Sequence, residues 1–276
     1  MSECTNLIVV SDLHCGCRMG LCPPEGAQLD DGGTYLPSAI QQKIWSWWKE
    51  FWSVWVPRVT KKESFIVVVN GDAIDGVHHQ STTQISHNLS DQGEIAYNVL
   101  APIAAKAKAI YMTRGTEVHE GQSGVESERL AKRLGAIPNE QKQHSRYELW
   151  IRVGDALVHL MHHIGTTSSS AHEASAVNAE LSAEYTEAAR WGEDPPDFVV
   201  RSHRHRFISV NVGCKAGRGA SMVTPGWQAK TPFSYRIAGA RLAPPQFGGL
   251  LIRQGDEEPF YREQVWHLSR SKEETA

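Results

Sequence analysis

Short apolar runs, most of them unbroken and rich in β-branched residues, recur through the first two hundred positions of the chain. They cover residues 7–10, 65–69, 109–112, 156–161 and 198–200. Runs of this length without polar alternation are typical of strands that are buried on both faces of a sheet. Helical patterns lie between several of them, over residues 37–56, 91–108, 123–134 and 171–191. Strands that alternate with helices predict a layered α/β architecture.

The pattern changes after residue 203, where strand-like segments follow one another with only Gly-rich and Pro-rich loops between them. We predict these strands over residues 207–212, 220–224, 249–253 and 260–268. We expect them to form a second, more antiparallel sheet, with a hairpin turn at 254–256. The length favours one domain over residues 1–268, with a helical insertion near 166–192 and a charged tail over 269–276.

Four tryptophans, Trp45, Trp48, Trp52 and Trp55, follow one another three or four positions apart and form a stripe on the first helix. Such a stripe could bind a membrane surface or stack on nucleic-acid bases. Lys49 is the only basic residue between positions 44 and 56, so an anionic membrane finds little to attract it. We therefore expect the stripe to pack on the sheet as part of the core.

The composition gives no reason to expect a general affinity for polyanions or membranes. The chain has 276 residues, and its 28 Lys and Arg against 31 Asp and Glu leave a net charge of −3. No apolar run approaches the roughly 20 residues that a membrane span requires. Five cysteines, an odd number, and the lack of a secretory signal pattern predict reduced thiols and a cytoplasmic protein. The cysteines are Cys4, Cys15, Cys17, Cys22 and Cys214.

The pair Cys15-x-Cys17 lies against the first of the polar motifs described next, which suggests a zinc thiolate site. No second pair follows at the spacing that zinc fingers use, so we interpret these cysteines as free thiols.

Each of the five apolar runs leads directly into polar residues that are able to ligate a metal ion or contact phosphate. In chain order they are Asp12 and His14; Asn70, Asp72 and Asp75; Arg114, Thr116, Glu117 and His119; His162 and His163; and His203, Arg204 and His205. In open α/β sheets ligand sites form beyond the carboxyl ends of strands, so these groups are expected to meet in one crevice.

Carboxylates mixed with imidazoles suit Mn, Fe or Zn better than Ca, which prefers oxygen ligands alone. Seven or eight such groups are too many for one ion. Two ions about 3.5–4 Å apart could share them through a bridging carboxylate.

The order of these motifs resembles that of the calcineurin-like metallophosphoesterases, and the sequence as a whole looks like their bacterial and phage branch. The motifs are Asp-x-His at 12–14, Gly-Asp-x-x-Asp at 71–75, a lone His at 162 or 163, and His-x-His at 203–205. The resemblance spans residues 7–206 and implies an αββα sandwich of two mixed sheets flanked by helices. It also implies two divalent ions (Mn, Fe, Zn or Mg) and hydrolysis of a phosphate monoester or diester by a hydroxide between them.

The same resemblance implies roles for individual residues. The first ion is expected on Asp12, His14 and His205, the bridge on Asp72, and the second ion on Thr116, His162 and His203. His163 is the alternative to His162, because adjacent residues on a strand point to opposite faces and only one can reach the ion. Arg114 is expected to neutralise phosphate oxygens.

Two departures from the family pattern matter. Ser202 replaces the Gly before the first His of the last motif, and Thr116 and Glu117 stand where the family has Asn and His. A Thr hydroxyl is a weaker and shorter donor than an Asn carbonyl, so Glu117 or His119 is a candidate to complete the second ion's ligands. Alternatively, His119 turns back toward Asp75, whose carboxylate would raise its pKa and make it the general acid.

Three function classes remain open at this point. The first is a phosphomonoesterase or phosphodiesterase, and the second is a degenerate family member that serves as a binding scaffold, which Thr116 favours. The third is a nuclease, because a basic stretch beside the last motif is compatible with nucleic acid or with a small nucleotide. That stretch consists of Arg201, Arg204, Arg206, Lys215 and Arg218.

Overall fold

Two mixed β-sheets stack face to face in the computed structural model, which describes residues 4–78, 80–165, 170–214, 217–236 and 243–269. The strands are β1 (Asn6–Val10), β2 (Ala27–Gln28), β3 (Thr34–Tyr35), β4 (Ile66–Asn70), β5 (Ala109–Thr113), β6 (Ser145–Arg146), β7 (Glu148–Val153), β8 (Ala156–Met161), β9 (Phe198–Arg201), β10 (Ile208–Cys214), β11 (Gly217–Val223), β12 (Gln246–Gln254) and β13 (Pro259–His267). One sheet has the order β13-β12-β1-β4-β5-β6 and the other has the order β10-β11-β9-β8-β7. Strands β2 and β3 form a separate small ribbon.

Helices cover the outer faces of the two sheets. They are α1 (Ala39–Glu50), a π-helical segment (Phe51–Trp55), α2 (Val56–Val59), α3 (Leu89–Ala104), α4 (Glu117–Glu120), α5 (Val125–Arg133) and α6 (Glu173–Trp191), with short 3₁₀ turns at Gln122–Gly124 and Ser170–His172. Ser38 caps α1 in a reciprocal capping box with Gln41, which satisfies backbone donors at the start of the helix.

Strand β1 shows how the layers are built. Ile8 and Val10 belong to the apolar cluster that includes the residues of α1 and α3, whereas Leu7 and Val9 belong to the cluster between the sheets. Successive strand residues point to opposite faces, so a strand with apolar residues at every position is covered on both sides. The unbroken apolar runs therefore correspond to central strands, and the predicted layered α/β fold with two mixed sheets flanked by helices is confirmed.

The tryptophan stripe packs as core, as expected. Trp48 and Trp55 are buried, and the partly buried Trp45 and Trp52 pack against the same cluster. The sequence pattern missed Trp47, which is also buried and packs against Phe247 of β12 in a tilted arrangement, with ring centroids 5.2 Å apart.

The prediction that the four late strands form a sheet of their own is wrong. Strands β12 and β13 join the first sheet, where β12 pairs antiparallel with β1. Strands β10 and β11 extend the second sheet, where β11 pairs parallel with β9. Both sheets are therefore mixed, and the chain returns to the first sheet only after completing the second.

Some sequence predictions lie outside the described residues. They include the charged tail from residue 270 onward, Lys215 of the basic stretch, and the side chains of Cys214 and Arg218. Within the described part of the chain, no helix is long and apolar enough to cross a membrane.

Candidate metal centre

The polar segments that follow β1, β4, β5, β8 and β9 converge at one end of the two sheets. In the described structure ten non-glycine residues have positive φ, and five of them are predicted metal ligands. These five are Asp12, His14, Asp72, His203 and His205. Left-handed backbone is rare outside glycine and is retained where the surrounding structure enforces it, commonly at functional sites. The strain is thus concentrated where it aims side chains into the crevice.

Asp12, His14 and His205, the three residues predicted to hold the first ion, lie together. Their ligand atoms fall within 4.8 Å of one another. Nε2 of His14 lies 3.1 Å from Nε2 of His205. The His205 Nε2 atom in turn lies 3.3 Å from Oδ1 of Asp12. Two imidazole nitrogens that face each other beside a carboxylate form a donor set that a divalent transition metal fits.

A second group forms around Asp72. Oδ2 of Asp72 lies 3.0 Å from Nε2 of His162 and 4.0 Å from Nδ1 of His203. The hydroxyl oxygen of Thr116 lies 3.2 Å from the same carboxylate oxygen and 3.2 Å from Nδ1 of His203. The Thr hydroxyl therefore stands among the groups predicted for the second ion. We call a set of three ligating side chains a metal-competent group when their ligand atoms all lie within 4.8 Å of one another. Asp12 and Asp72 each belong to two such groups, so both carboxylates face the space between the two sites.

Three histidines are oriented in the same way. Nδ1 of His162 lies 2.8 Å from the carbonyl oxygen of Asn70, and Nδ1 of His119 lies 2.5 Å from that of Asp75. Nδ1 of His14 lies 3.1 Å from Oδ1 of Asp75. Because these oxygens only accept, each Nδ1 carries the proton, and each Nε2 faces the carboxylates. Metal-ligating histidines are usually held in this way, with the other ring nitrogen donating to a carbonyl or carboxylate.

The electrostatics of the centre also favour a bound cation. Burial alone would raise the pKa of Asp72, but the imidazoles of His162, His119 and His14 together outweigh it and hold that pKa well below its ordinary value. Burial would raise the pKa of Asp12 too, but His205 and His162 lower it. Conversely, burial would lower the pKa of His162, but Asp72 and Asp12 raise it to about 10. Two buried, ionised carboxylates thus draw positive charge into the site, which a metal ion can supply.

Two glycines give the ligands room. A Cβ on Gly71, which has φ +81°, would lie 2.3 Å from Nδ1 of His162. A Cβ on Gly115 would lie 2.2 Å from Oδ1 of Asp72. Any side chain at either position would displace a predicted ligand.

The two candidate histidines after β8 differ sharply in their surroundings. His162 is buried and faces both carboxylates, lying 3.9 Å from Oδ1 of Asp12 as well as near Asp72. His163 is exposed, and among the described residues it shares a metal-competent group only with His162 and His203.

We predict that His162→Ala lowers bound metal more than His163→Ala, because only His162 reaches the carboxylates shared by both sites. Elemental analysis of the two purified variants, each first checked for folding by circular dichroism, measures the difference. The opposite ranking would assign the second site to His163 and His203.

The expected pairing of Asp75 with His119 is not what the structure contains. The carboxylate of Asp75 accepts from His14, Gln84 and Gln228, while His119 contacts the Asp75 backbone carbonyl. The pKa of His119 is lowered to about 4, first by burial and then by the charge of His14, rather than raised. Burial of the imidazole and the neighbouring His14 therefore outweigh the nearby carboxylates in setting the pKa of His119. His119 instead shares a metal-competent group with His14 and Asp72.

Arg114 and Glu117 do not reach the centre. The Arg114 guanidinium donates to the hydroxyl of Ser145 and to the carbonyl of Ser123, and it lies over the ring of Tyr147. Arg114 is not among the described residues that line the cavity over the centre, and its expected phosphate contact stays a prediction. Glu117 is exposed at the start of α4 and belongs to no metal-competent group of the described residues.

The cysteines near the first motif are buried thiols. Burial, and then the charge of Asp75, raises the pKa of Cys17 to about 12, and burial likewise raises that of Cys15. A thiol with such a pKa is protonated at neutral pH as long as no metal ion binds it. Among the described residues no cysteine belongs to a metal-competent group.

We predict that Cys15→Ser and Cys17→Ser, singly or together, leave the metal content per folded protein unchanged. Elemental analysis alongside a thiol titration tests this. Release of a stoichiometric ion by either change would restore the zinc thiolate interpretation.

Sequence reasoning gave no role to several residues around the centre. His78 lies with Nε2 3.6 Å from Oδ2 of Asp75 and forms a metal-competent group with Asp75 and His119. Glu120 is buried, and its Oε1 accepts from the backbone N–H of Asp72 at 3.1 Å. Neither residue lies in a motif whose spacing could have indicated it.

Comparison with known proteins found remote structural similarities. No protein-family model and no curated protein matches the chain. Solved structures that it resembles include vacuolar protein sorting 29 from Cryptosporidium parvum, at 13% identity and a TM-score of 0.35, over 97% of this chain and 100% of that one. A Thermotoga maritima protein aligns at 9% identity and 0.36, over 96% and 99% of the two chains. Sulfate thiohydrolase SoxB of Thermus thermophilus, in complex with glycerol, aligns at 11% identity and 0.36, over 97% and 57%. TM-scores this low support no statement about family or activity.

Proposed function

We propose that the protein is a metal-dependent phosphoesterase of the calcineurin-like type, in its bacterial and phage branch. The observation that carries the proposal is the common orientation of His14, His119 and His162, whose Nε2 atoms face two buried carboxylates while their Nδ1 atoms are anchored. When bound, two divalent ions supply an activated water and stabilise negative charge on the phosphoryl group.

The residues of this chain have separate tasks in that reaction. Asp12, His14 and His205 hold one ion, and His162 and His203 help to hold the other. The shared carboxylate of Asp72 is fixed by the backbone N–H of Thr116, which donates to Oδ1 at 2.7 Å. The Thr116 hydroxyl occupies the place of the family Asn. The positive φ values keep the ligands aimed without reorganisation when substrate binds.

Asp75 acts as a positioning residue. It fixes the ring of His14 through Nδ1, and Gln84 and Gln228 fix Asp75 in turn, at 2.8 and 3.0 Å. Chains of contacts of this kind set the orientation of a ligating histidine.

A scaffold without activity is the competing candidate that Thr116 first suggested. The Thr116 hydroxyl lies among the candidate ligands, which supports the enzyme over the scaffold. A single domain over residues 1–268 and a cytoplasmic location are further parts of the proposal.

The test is a metal-supplemented screen with Mn, Fe, Zn and Mg on an aryl phosphate monoester, an aryl phosphate diester and DNA, with elemental analysis of the same samples. Hydrolysis that depends on added metal supports the proposal. Tight stoichiometric metal with no turnover of any ester would favour the scaffold. Protein that binds no divalent ion under any of these conditions would refute both.

A further inference from the structure

A cavity of about 390 Å³ opens over the candidate metal centre. Its lining includes His14, Asp72 and His205 of the centre, and several residues of the loop after β11, which are Gln228, Ala229, Lys230, Thr231, Phe233 and Ser234. Pockets of about 300–1,000 Å³ enclose small organic ligands, so the space extends well beyond a phosphate held at the metals. The side chains that line this extra space indicate what the rest of the substrate carries.

The charges around the cavity have one sign beyond the metal centre. Arg204, Arg206 and Lys230 line it, and Asp72, already committed to the candidate metal sites, is the one carboxylate among its described lining residues. Burial, and then the charge of Arg206, lowers the pKa of Lys230. Cations that line the same cavity favour an anion bound between them.

The arginines are held in place and still have donors to offer. Arg204 donates to the carbonyl of Gly165 through Nη2, and Nη2 of Arg206 lies 3.4 Å from Glu173 at the start of α6. Nε of Arg206 and Nη1 of Arg204 are buried and meet no acceptor among the described residues. Buried donors are almost always paired in native proteins, so a further acceptor is expected for these two atoms.

The same cavity has an apolar portion. The ring of Phe233 and the side chains of Val118 and Pro245 contribute to its lining. Such surfaces suit the flat or hydrocarbon part of an organic ester, on which an aromatic side chain can stack.

We propose that the substrate is a nucleotide-sized phosphate ester that carries a second phosphate, which Arg206 and Lys230 bind while the ester phosphate lies at the metal centre. The inference rests on the proposed function, because it takes the ester phosphate to the metals. Arginine matches phosphate oxygens with paired N–H donors, and lysine adds a compact charge. A nucleoside bisphosphate and the end of a nucleic-acid strand both present this pair of phosphates.

The first experiment compares kcat/KM for thymidine 3′,5′-bisphosphate with kcat/KM for the two thymidine monophosphates. The wild-type protein is expected to prefer the bisphosphate by about tenfold or more, the size of one charge-assisted hydrogen bond. Lys230→Gln and Arg206→Gln should each reduce this preference, chiefly by raising KM for the bisphosphate. Lys49→Gln, which removes an exposed lysine of α1, is the matched control and should keep the preference.

The second experiment measures binding without turnover. The Asp72→Asn protein is expected to lack turnover and at least one ion, so its calorimetric titration with the bisphosphate reports mainly the second-phosphate site. The Kd should be weaker when Lys230→Gln is added to it and unchanged when Lys49→Gln is added. A short 5′-phosphorylated single strand, titrated in parallel, distinguishes the two sources of the second phosphate. Tighter, Lys230-dependent binding of the strand identifies a polymer end, and equal binding identifies the small molecule.

The outcomes separate this inference from the proposed function. Suppose that all three thymidine esters are hydrolysed with equal kcat/KM and that Lys230→Gln leaves the Kd unchanged. That result would overturn the second-phosphate site and would not contradict the proposed phosphoesterase function. Absence of metal and of any hydrolysis would overturn the phosphoesterase, while Lys230-dependent binding in the calorimeter would still support an anion site at this wall.

Discussion

Asp72→Asn is expected to abolish ester hydrolysis and to release at least one divalent ion. Asp72 belongs to two of the metal-competent groups, and its Oδ2 lies 3.0 Å from Nε2 of His162. An amide in its place removes the negative charge that both ions share, and it presents only one lone-pair oxygen where the carboxylate presents two. Elemental analysis and turnover of an aryl phosphate in the same metal-supplemented buffer measure both losses.

The control for this change is Asp155→Asn, which alters an exposed carboxylate in the turn between β7 and β8. That variant should keep its metal and its turnover. Thermal unfolding of both proteins shows whether the Asp72 variant is folded, because removing a buried carboxylate among imidazoles also changes stability. Full stoichiometric metal together with normal turnover in folded Asp72→Asn protein would contradict the dinuclear arrangement.

The central strands could be predicted from sequence because each carries its own evidence. A run such as that ending at Val10 has apolar residues on both faces, and this is a local property of β1. Sheet membership of the late strands is a different matter. Strand β12 pairs with β1, where Arg253 lies opposite Asn6, and nothing in the local pattern of either strand names a partner so distant in sequence.

The metal-centre residues could be predicted as a set for the same local reason. Each polar motif follows directly on a strand, so the carboxyl ends of the strands bring the motifs together. The sequence pattern could not predict which residues a long side chain contacts. Arg114 follows β5 as expected, but Ser145 and Ser123, which hold its guanidinium, come from other segments. Lys230 comes from a loop with no recognisable motif, and only the cavity shows its relation to the centre.

His119 was the residue whose role the sequence left most open, between general acid and replacement ligand. Its Nδ1 is anchored on the carbonyl of Asp75, and its Nε2 lies 4.0 Å from Oδ2 of Asp72. The lowered pKa, about 4, keeps the ring neutral at pH 7, which is the state of a ligand rather than of a proton donor. The geometry therefore favours the ligand role.

We predict that His119→Ala lowers metal affinity and reduces kcat for hydrolysis of alkyl and aryl phosphate esters by the same factor. Loss of a residue that merely orients a ligand typically costs about 10–100-fold in metal affinity, and loss of a ligand should cost at least as much. Competition with a chromogenic chelator measures the affinity, and kcat for two esters whose leaving groups differ widely in pKa measures the rates. His267→Ala, which removes an exposed histidine of β13, should change neither quantity.

The two roles give opposite patterns in these measurements. A general acid protonates the leaving oxygen, so its loss slows an alkyl ester by about 10²–10⁴-fold and spares the ester of an acidic phenol. A metal ligand acts through the bound ion and does not protonate the leaving oxygen. Its loss therefore slows hydrolysis of both esters by the same factor, and added metal restores part of the rate. Normal metal affinity combined with selective loss of alkyl ester hydrolysis would return His119 to the general-acid role. In that case Nε2 would have to gain a proton before it can protonate the leaving oxygen, while Nδ1 keeps its hydrogen bond to the carbonyl of Asp75.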